Sequence, residues 1–325
     1  MSATETTIAT ADLPSGEPIP SSAAPTPNPK PFPIKAVIAA APSNIDAFLA
    51  HLQRCLQTPA GIDTILLFLC YASRLSASVL ETLTRPAIQR SAQQLLALAA
   101  SLPPSATLVF TAKALPGQGA ALALALAKRL RAFSLMLSDA RTFLRLWGLL
   151  NMYFWLRRLI LKRKAAKESE KGAKADDSVE TAISWIQVST CIVFQALENG
   201  AYLSSKGVMG WAPATQRRAS LWSARFWAAF VGIEIGKLFY ESHKRGQRTR
   251  AEKFGDGTKT ASQVEAEEKE WAGTWRRSVM RNLAWAPLTL HWSTEGGLLG
   301  EMAVGAIASI PGTIQIRDLW RRTAE

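Results

Sequence analysis

The sequence contains several long apolar stretches, and single charges interrupt each of them before it reaches the length of a membrane span. The first stretch runs over residues 65–72 without a charge, and Arg74 follows it closely. A transmembrane helix needs about 20 consecutive, mainly apolar residues. An ordinary surface helix, by contrast, carries a broad polar face. The stretch therefore predicts a helix that packs in a bundle, spans a membrane or lies at a membrane surface.

The spacing of the apolar residues predicts helices along most of the chain, so we expect an all-α fold. Ile45, Phe48 and Leu52 recur at intervals of three and four, which indicates an amphipathic helix. The Thr-Pro-Ala-Gly break at residues 58–61 ends it. A second helix is predicted over residues 64–83, with one apolar and one polar face.

The overall composition favours a membrane-associated protein. Of 325 residues, 48% are hydrophobic and only 19% are charged, yet the net charge is +13. A chain that is both apolar and basic suits an anionic membrane surface. The eleven Trp residues agree, because Trp is enriched at membrane–water interfaces. Nucleic acid is the competing partner for so basic a chain, but the sequence contains no zinc-ligand spacing or other nucleic-acid motif.

Residues 128–164 predict a basic amphipathic helix of the type that lies in a membrane interface. The side chains predicted to insert into the membrane are Leu130, Phe133, Leu137, Leu144 and Trp147. Those predicted to contact lipid headgroups are Lys128, Arg129, Arg131, Arg141 and Arg145. The alternative interpretation is a helix of a protein core whose basic face is exposed to solvent.

The second half of the chain predicts hydrophobic helices that partly span a membrane. Its apolar stretches cover residues 182–197, 219–240 and 283–316. Glycines are concentrated in the last stretch, and the spacing of Gly296, Gly300 and Gly305 predicts positions of close helix packing. Small residues at such spacings allow two helix backbones to approach each other in a bilayer.

These patterns predict six segments along the chain. They are a disordered tail rich in Pro, Ser and Ala (1–42), an amphipathic, membrane-active region (43–160), a charged linker (161–180), a hydrophobic helix pair (181–240), a charged, solvated loop (241–270) and a C-terminal hydrophobic, Gly-rich membrane segment (271–325).

The sequence predicts neither an enzyme nor a cofactor or metal site. The histidines, His51, His243 and His291, are remote from one another in sequence. The chain contains no nucleophile elbow, no paired-histidine zinc motif and no P-loop. The three cysteines are scattered and form neither a disulfide framework nor a metal-ligand pattern, which favours a reducing compartment.

Five segments, in order, resemble the peroxin-11 family of peroxisomal membrane-elongation proteins, in a divergent, fungal-type branch. The resemblance extends from about residue 44 to Trp320. The segments are TPAGIDTILLFLCYASRL, LSDARTFLRLWGLL, ALENGAYLSSKGVM, FWAAFVGIEIGKLFYE and VGAIASIPGTIQIRDLW. The second segment is similar to the family's basic amphipathic helix.

The resemblance implies a non-enzymatic, all-helical protein of the peroxisomal membrane. Such a protein inserts amphipathic helices to bend and elongate the membrane, and so promotes peroxisome proliferation and fission. The implied partners are peroxisomal membrane lipids, further copies of the chain, and the fission machinery, a dynamin-related GTPase with its adaptor. One alternative is a helical metabolite channel lined by Glu198, Arg225, Glu234 and Lys237. The other is a soluble, non-enzymatic helical scaffold.

Overall fold

A computed structural model describes residues 34–101, 117–168, 175–248 and 259–324, and every regular element within these ranges is a helix. The prediction of an all-α fold is therefore confirmed for this part of the chain. Most of the expected N-terminal tail, residues 1–33, lies outside the described residues. Residues 34–42, which were also expected to be disordered, are helical instead.

Eight α-helices account for most of the described residues. They are α1 (Ile34–Leu56), α2 (Pro59–Ser101), α3 (Gln118–Leu144), α4 (Gly148–Glu168), α5 (Ala175–Ser205), α6 (Pro213–Gly246), α7 (Ala261–Trp292) and α8 (Glu301–Arg322). A single turn of 3-10 helix, Arg145–Trp147, joins α3 to α4. The chain divides into two compact units, Met1–Phe48 and Leu49–Glu325, and the second holds the helix bundle.

The charged segments contain more helix than the sequence analysis expected. In the linker predicted over residues 161–180, α4 continues to Glu168 and α5 begins at Ala175. In the loop predicted over residues 241–270, α6 continues to Gly246 and α7 begins at Ala261. Lys, Arg and Glu are good helix formers, so a high charge density does not by itself end a helix. The side chain and backbone of Thr260 also exchange hydrogen bonds with Gln263, which forms a capping box at the start of α7.

The first part of α2 is the central helix of the bundle. It packs against α3 on one side and α8 on the other. Leu67 and Tyr71 are buried in a cluster with Leu288 of α7 and Val304 of α8. The apolar run at residues 65–72 is therefore largely covered by other helices of the same chain. By length and composition, α2 alone among the described helices could cross a membrane, a property that a buried core helix also satisfies.

Glycines on α8 allow its close approach to α2. A Cβ atom at Gly305 would lie 3.0 Å from the Cα atom of Leu75, and one at Gly312 would lie 3.4 Å from the Cα atom of Phe68. Ala308, between them, is fully buried. The small residues therefore bring two helix backbones together within one chain.

Gly296 and Gly300 do not share this packing face, which corrects the sequence-based expectation. Gly296 lies in the connection between α7 and α8 with φ of +78°, and Gly300 is the N-cap residue of α8. A side chain at either position would meet no described atom within 4 Å. The connection is held by His291, whose Nδ1 accepts hydrogen bonds from the backbone N–H groups of Leu298 (2.7 Å) and Leu299 (3.0 Å).

A cluster of four charged side chains, here called the ionic junction, ties α2, α3 and α8 together. Arg74 donates two hydrogen bonds to Glu301, at 2.9 and 2.8 Å. Arg131 of α3 bridges Glu81 and Glu301. The hydrogen bonds from Arg74, reinforced by Arg131, hold the pKa of Glu301 below its ordinary value of 4.5. Glu301 is therefore ionised at neutral pH.

The end of α1 is latched to the end of α8. His51 Nε2 lies 3.0 Å from the carbonyl oxygen of Trp320 and 3.0 Å from the hydroxyl of Thr323. The centroids of the His51 and Trp320 rings are 3.7 Å apart with the ring planes tilted by 31°, and Arg54 donates to the carbonyl oxygen of Thr323. This terminal latch brings together residues 269 positions apart along the chain.

Substituting Gly305 tests the close approach of α8 to α2. Gly305→Leu forces a side chain against the backbone of Leu75, and overpacking of this kind costs about 1–3 kcal/mol. We expect the midpoint of thermal unfolding, followed by circular dichroism, to fall by several degrees. The control is Gly236→Leu, at a helical glycine of α6 with open space around it. An equal fall in both variants would contradict close packing at Gly305.

The ionic junction predicts a specific pH dependence. Because the pKa of Glu301 is lowered in the folded state, its contribution to stability is present above pH 4.5 and is lost as the pH falls through the lowered value. Glu301→Gln should therefore lower the free energy of unfolding at pH 7, by less than about 1 kcal/mol for so exposed a pair. The difference from the native chain should disappear in acid. Glu295→Gln, a change to an exposed carboxylate nearby, is the control, and a Glu301→Gln effect that stays constant with pH would refute the prediction.

Candidate membrane surface and interior cavity

Three of the arginines predicted to contact lipid headgroups pair with carboxylates of other helices instead. Arg131 belongs to the ionic junction. Arg141 pairs with Asp63 of α2 at 2.8 Å and is only 11% exposed. Arg145 pairs with Glu198 of α5 at 2.8 Å. The proposed role of these three residues beside the inserted side chains is thereby corrected, because each guanidinium is directed at a carboxylate of another helix and not at the exposed side of α3.

The acidic partners explain why this basic face turns inward. A buried guanidinium is costly unless a carboxylate and further hydrogen bonds satisfy it. Asp63 and Glu81 lie on α2, and Glu198 lies on α5, so the helices that flank α3 supply the balancing charges. Ser134, on the same face, is buried, and its carbonyl oxygen accepts from the Cys70 thiol. The polar side of α3 is therefore an interior surface.

The apolar side of α3 is correspondingly exposed, and this surface continues along α4. We call it the outer apolar face. Its exposed side chains are Leu122, Leu126, Phe133, Met136, Phe143, Leu144, Trp147, Leu149, Leu150, Tyr153, Phe154, Ile160 and Leu161. Soluble monomers rarely expose contiguous apolar patches larger than a few hundred Å². The face is thus of the kind that contacts a membrane or another protein.

The five side chains predicted to insert into a membrane do not all lie on this face. Phe133, Leu144 and Trp147 are exposed, and Trp147 is the most exposed of them at 71%. Leu137 is only 6% exposed and belongs to the interior, which corrects its assignment to the membrane. Leu130 is half-buried.

The predicted amphipathic stretch at residues 128–164 includes most of α4, but the side chains chosen for insertion stopped at Trp147. The 3-10 turn at Arg145–Trp147 does not end the apolar surface, because Trp147, Leu150 and Phe154 follow one another at intervals of three and four. The alternation of apolar and basic residues over 155–164 was the signal that could have indicated this continuation.

Exposed cations border the outer apolar face. Lys128 and Arg129 of α3 are exposed, as the headgroup prediction requires, and neither forms an ion pair with a described residue. On α4, Arg157 and Arg158 are also exposed, and so is the basic run at residues 162–164. An apolar surface rimmed by cations has the composition of an interfacial membrane-binding helix.

A cavity of about 500 Å³ lies among α2, α3, α5, α6 and α7. It opens to the surface, where Ser138, Ser205 and Ser220 are exposed at its rim. Its polar wall includes Arg141, Arg145 and Glu198, and its apolar wall includes Phe194, Trp227, Trp285 and Trp292. The volume is within the range of about 300–1,000 Å³ that is typical of ligand sites.

The charged residues expected to line a channel do not converge. Of the four, only Glu198 lines the cavity. Arg225 stacks on Trp222 and donates to the carbonyl oxygen of Ser293. Glu234 accepts from Gln187, whereas Lys237 pairs with Glu241 on its own helix. These contacts are separate from one another and do not form a common path.

The histidines have structural contacts in the described part of the chain. His51 belongs to the terminal latch and His291 holds the α7–α8 connection, whereas His243 lies 3.0 Å from the Gln247 amide. Among the residues that the structure describes, no three His, Cys, Asp or Glu side chains are grouped as metal ligands. That the protein is not an enzyme remains a prediction.

The chain has no match among family models, curated proteins or solved structures.

Proposed function

We propose that this protein binds an anionic membrane through its outer apolar face and bends the bilayer. The observation that carries the proposal is the polarity of α3 and its 3-10 extension: Arg141 and Arg145 pair with carboxylates of other helices, while apolar side chains such as Phe133 are exposed. A surface helix of a soluble protein turns its apolar side toward the core and its charged side toward solvent. The exposed cations beside the face supply the attraction to anionic lipid.

Bending follows from a wedge mechanism. Interfacial helices insert their apolar side chains about 5–10 Å into the boundary between headgroups and acyl chains. Side chains such as Phe133, Trp147 and Phe154 expand the leaflet that they enter more than the opposite leaflet, so the bilayer curves. Full burial of each large apolar side chain contributes about 1.5–3 kcal/mol. Each basic residue near the surface adds about 1 kcal/mol.

The bundle gives this wedge a support that an isolated amphipathic peptide lacks. The Arg141–Asp63 pair fixes the orientation of α3 against α2, and the Arg145–Glu198 pair fixes the 3-10 turn that follows α3 against α5. The apolar face is therefore held outward before any lipid is met. A preorganised surface loses less conformational entropy on binding than a segment that folds on the membrane.

The resemblance to the peroxin-11 family extends the proposal to a particular membrane. On that basis the protein acts at the peroxisomal membrane, where elongation precedes fission. Other copies of the chain and the fission machinery, a dynamin-related GTPase with its adaptor, are the proposed partners. Among the described helices, α2 alone has the length and composition to cross a membrane, which supports a membrane-associated form of the all-α fold, although its first part is covered by α3 and α8.

Substitutions on the outer apolar face test membrane binding. Trp147→Asp with Phe154→Asp removes two insertions of about 1.5–3 kcal/mol each, so affinity should fall at least about 100-fold. We expect the native protein to float with vesicles that contain anionic phospholipid and to deform them into tubules, as seen by electron microscopy. The double variant should do neither. The control is Val208→Asp with Leu298→Asp, which changes two exposed apolar residues outside the face. Equal loss in both variants would disprove the assignment of the face.

The exposed cations of α4 give a second test. Arg157→Gln with Arg158→Gln removes about 2 kcal/mol of attraction, so affinity for anionic vesicles at low salt should fall roughly 30-fold. The difference should shrink as salt is added, because screening weakens the native interaction. Arg217→Gln with Arg218→Gln is the matched control, since these neighbouring arginines of α6 are also exposed. A salt-independent loss, or the same loss in the control, would count against the electrostatic role of α4.

A further inference from the structure

The interior cavity is built with a polar half and an aromatic half. Arg141, Arg145 and Glu198 lie on the polar side, together with hydroxyl groups from α3, α5 and α6. The aromatic half contains Trp227 and Trp292, whose rings stack with centroids 5.5 Å apart. Such a division suits an amphiphile, because one end of the ligand finds hydrogen bonds and the other finds apolar surface.

Both guanidiniums have hydrogen-bonding capacity left. Arg141 uses Nε and one terminal nitrogen for Asp63. Arg145 uses Nε and one terminal nitrogen for Glu198 and Thr142. The second terminal nitrogen of each, Nη1, has no hydrogen-bond partner among the described residues. The two arginines are one helical turn apart, so both can donate to one anionic group, and such charge-assisted bonds are strong.

The free donors of the lining favour an anion over a cation. Asp63 and Glu198 balance the charges of the two guanidiniums, so the preference comes from the Nη1 groups, which donate hydrogen bonds and cannot accept them. The aromatic half does not form a cage for a quaternary ammonium group, since Trp227 and Trp292 are nearly parallel, at 7°, and cover each other's faces. A quaternary ammonium group binds over the open faces of aromatic rings, and the stacked pair leaves fewer of these faces open.

We propose that this cavity binds the anionic head of a lipid-like amphiphile. The phosphate or carboxylate group accepts hydrogen bonds from Arg141 and Arg145, and the first apolar carbons of the chain lie against Trp227, Trp285 and Trp292. The exposed rim at Ser138 and Ser220 is the entrance. The ligand is either a free single-chain amphiphile or a lipid of the membrane, which share this chemistry. The proposal does not depend on membrane bending.

Binding of lysophosphatidic acid to the full-length protein in nonionic detergent tests the proposal. A brominated acyl chain should quench Trp fluorescence in a saturable way, and lysophosphatidylcholine and inorganic phosphate should bind at least about tenfold more weakly. Equal affinity for lysophosphatidylcholine would overturn the role of the anion. Equal affinity for inorganic phosphate would overturn the role of the aromatic wall.

A charge-neutral double variant locates the site. Arg145→Gln with Glu198→Gln removes both partners of one ion pair, so no buried charge is left alone. It should weaken lysophosphatidic acid binding at least about tenfold, through the loss of charge-assisted hydrogen bonds. Asp139→Asn with Lys206→Gln removes a second, exposed ion pair outside the cavity and should have no effect. Unchanged binding in the first variant, or equal loss in the second, would refute the cavity as the site.

A substitution at the rim tests the entrance of the cavity, and an experiment in a bilayer identifies the source of the ligand. Ser220→Trp changes an exposed residue and should block the entrance without unfolding the bundle; undiminished binding by this variant would contradict the proposal. In nanodiscs, saturable quenching by brominated phosphatidic acid that Ser220→Trp abolishes identifies a membrane lipid as the ligand. If lysophosphatidic acid binds in a saturable way but brominated phosphatidic acid in the nanodisc does not quench Trp fluorescence, the ligand is a free amphiphile. Trp147→Asp with Phe154→Asp should lose vesicle binding but keep lysophosphatidic acid binding, which separates the cavity from the proposed membrane function.

Discussion

The structure depends on the need to pair the arginines of α3 with carboxylates. Arg131, Arg141 and Arg145 lie on one side of this helix and its 3-10 extension, and each finds an acidic partner on another helix. Once these pairs form, the orientation of α3 is fixed and its opposite, apolar side must face outward. The outer apolar face and the polar wall of the cavity are thus two results of the same electrostatic requirement.

Glycines determine where α8 can pack against α2, the central helix of the bundle. Gly305 and Gly312 let α8 approach α2 closely enough to bury Leu67 and Val304, and the ionic junction fixes the register between the two helices at one end. Close packing supplies many short contacts that are individually weak but collectively large. The polar pairs then specify which of several similar packings is adopted.

The sequence predicted the helices well and the direction of their faces poorly. Intervals of three and four revealed two sides of the segment at residues 128–164, but periodicity cannot say which side faces the protein. That choice depends on Asp63 and Glu198, which are 78 and 53 positions from their arginines. Local spacing carries no information about such partners. In the same way, the four-residue interval between Gly296 and Gly300 suggested one helix face, whereas contacts of His291 with the following backbone place both glycines outside the helix interior.

The position of α2 between α3 and α8 has a consequence for biosynthesis. Its partner Glu301 is 227 residues further along the chain than Arg74. At a translation rate of about 5–20 residues per second, roughly 10–45 seconds pass before that side of α2 can be covered. During this interval α2, the one described helix with the length and composition to cross a membrane, lacks its final neighbour. We therefore expect the exposed side of α2 to be a site of aggregation, or of early contact with a chaperone or lipid, until the last helix has left the ribosome.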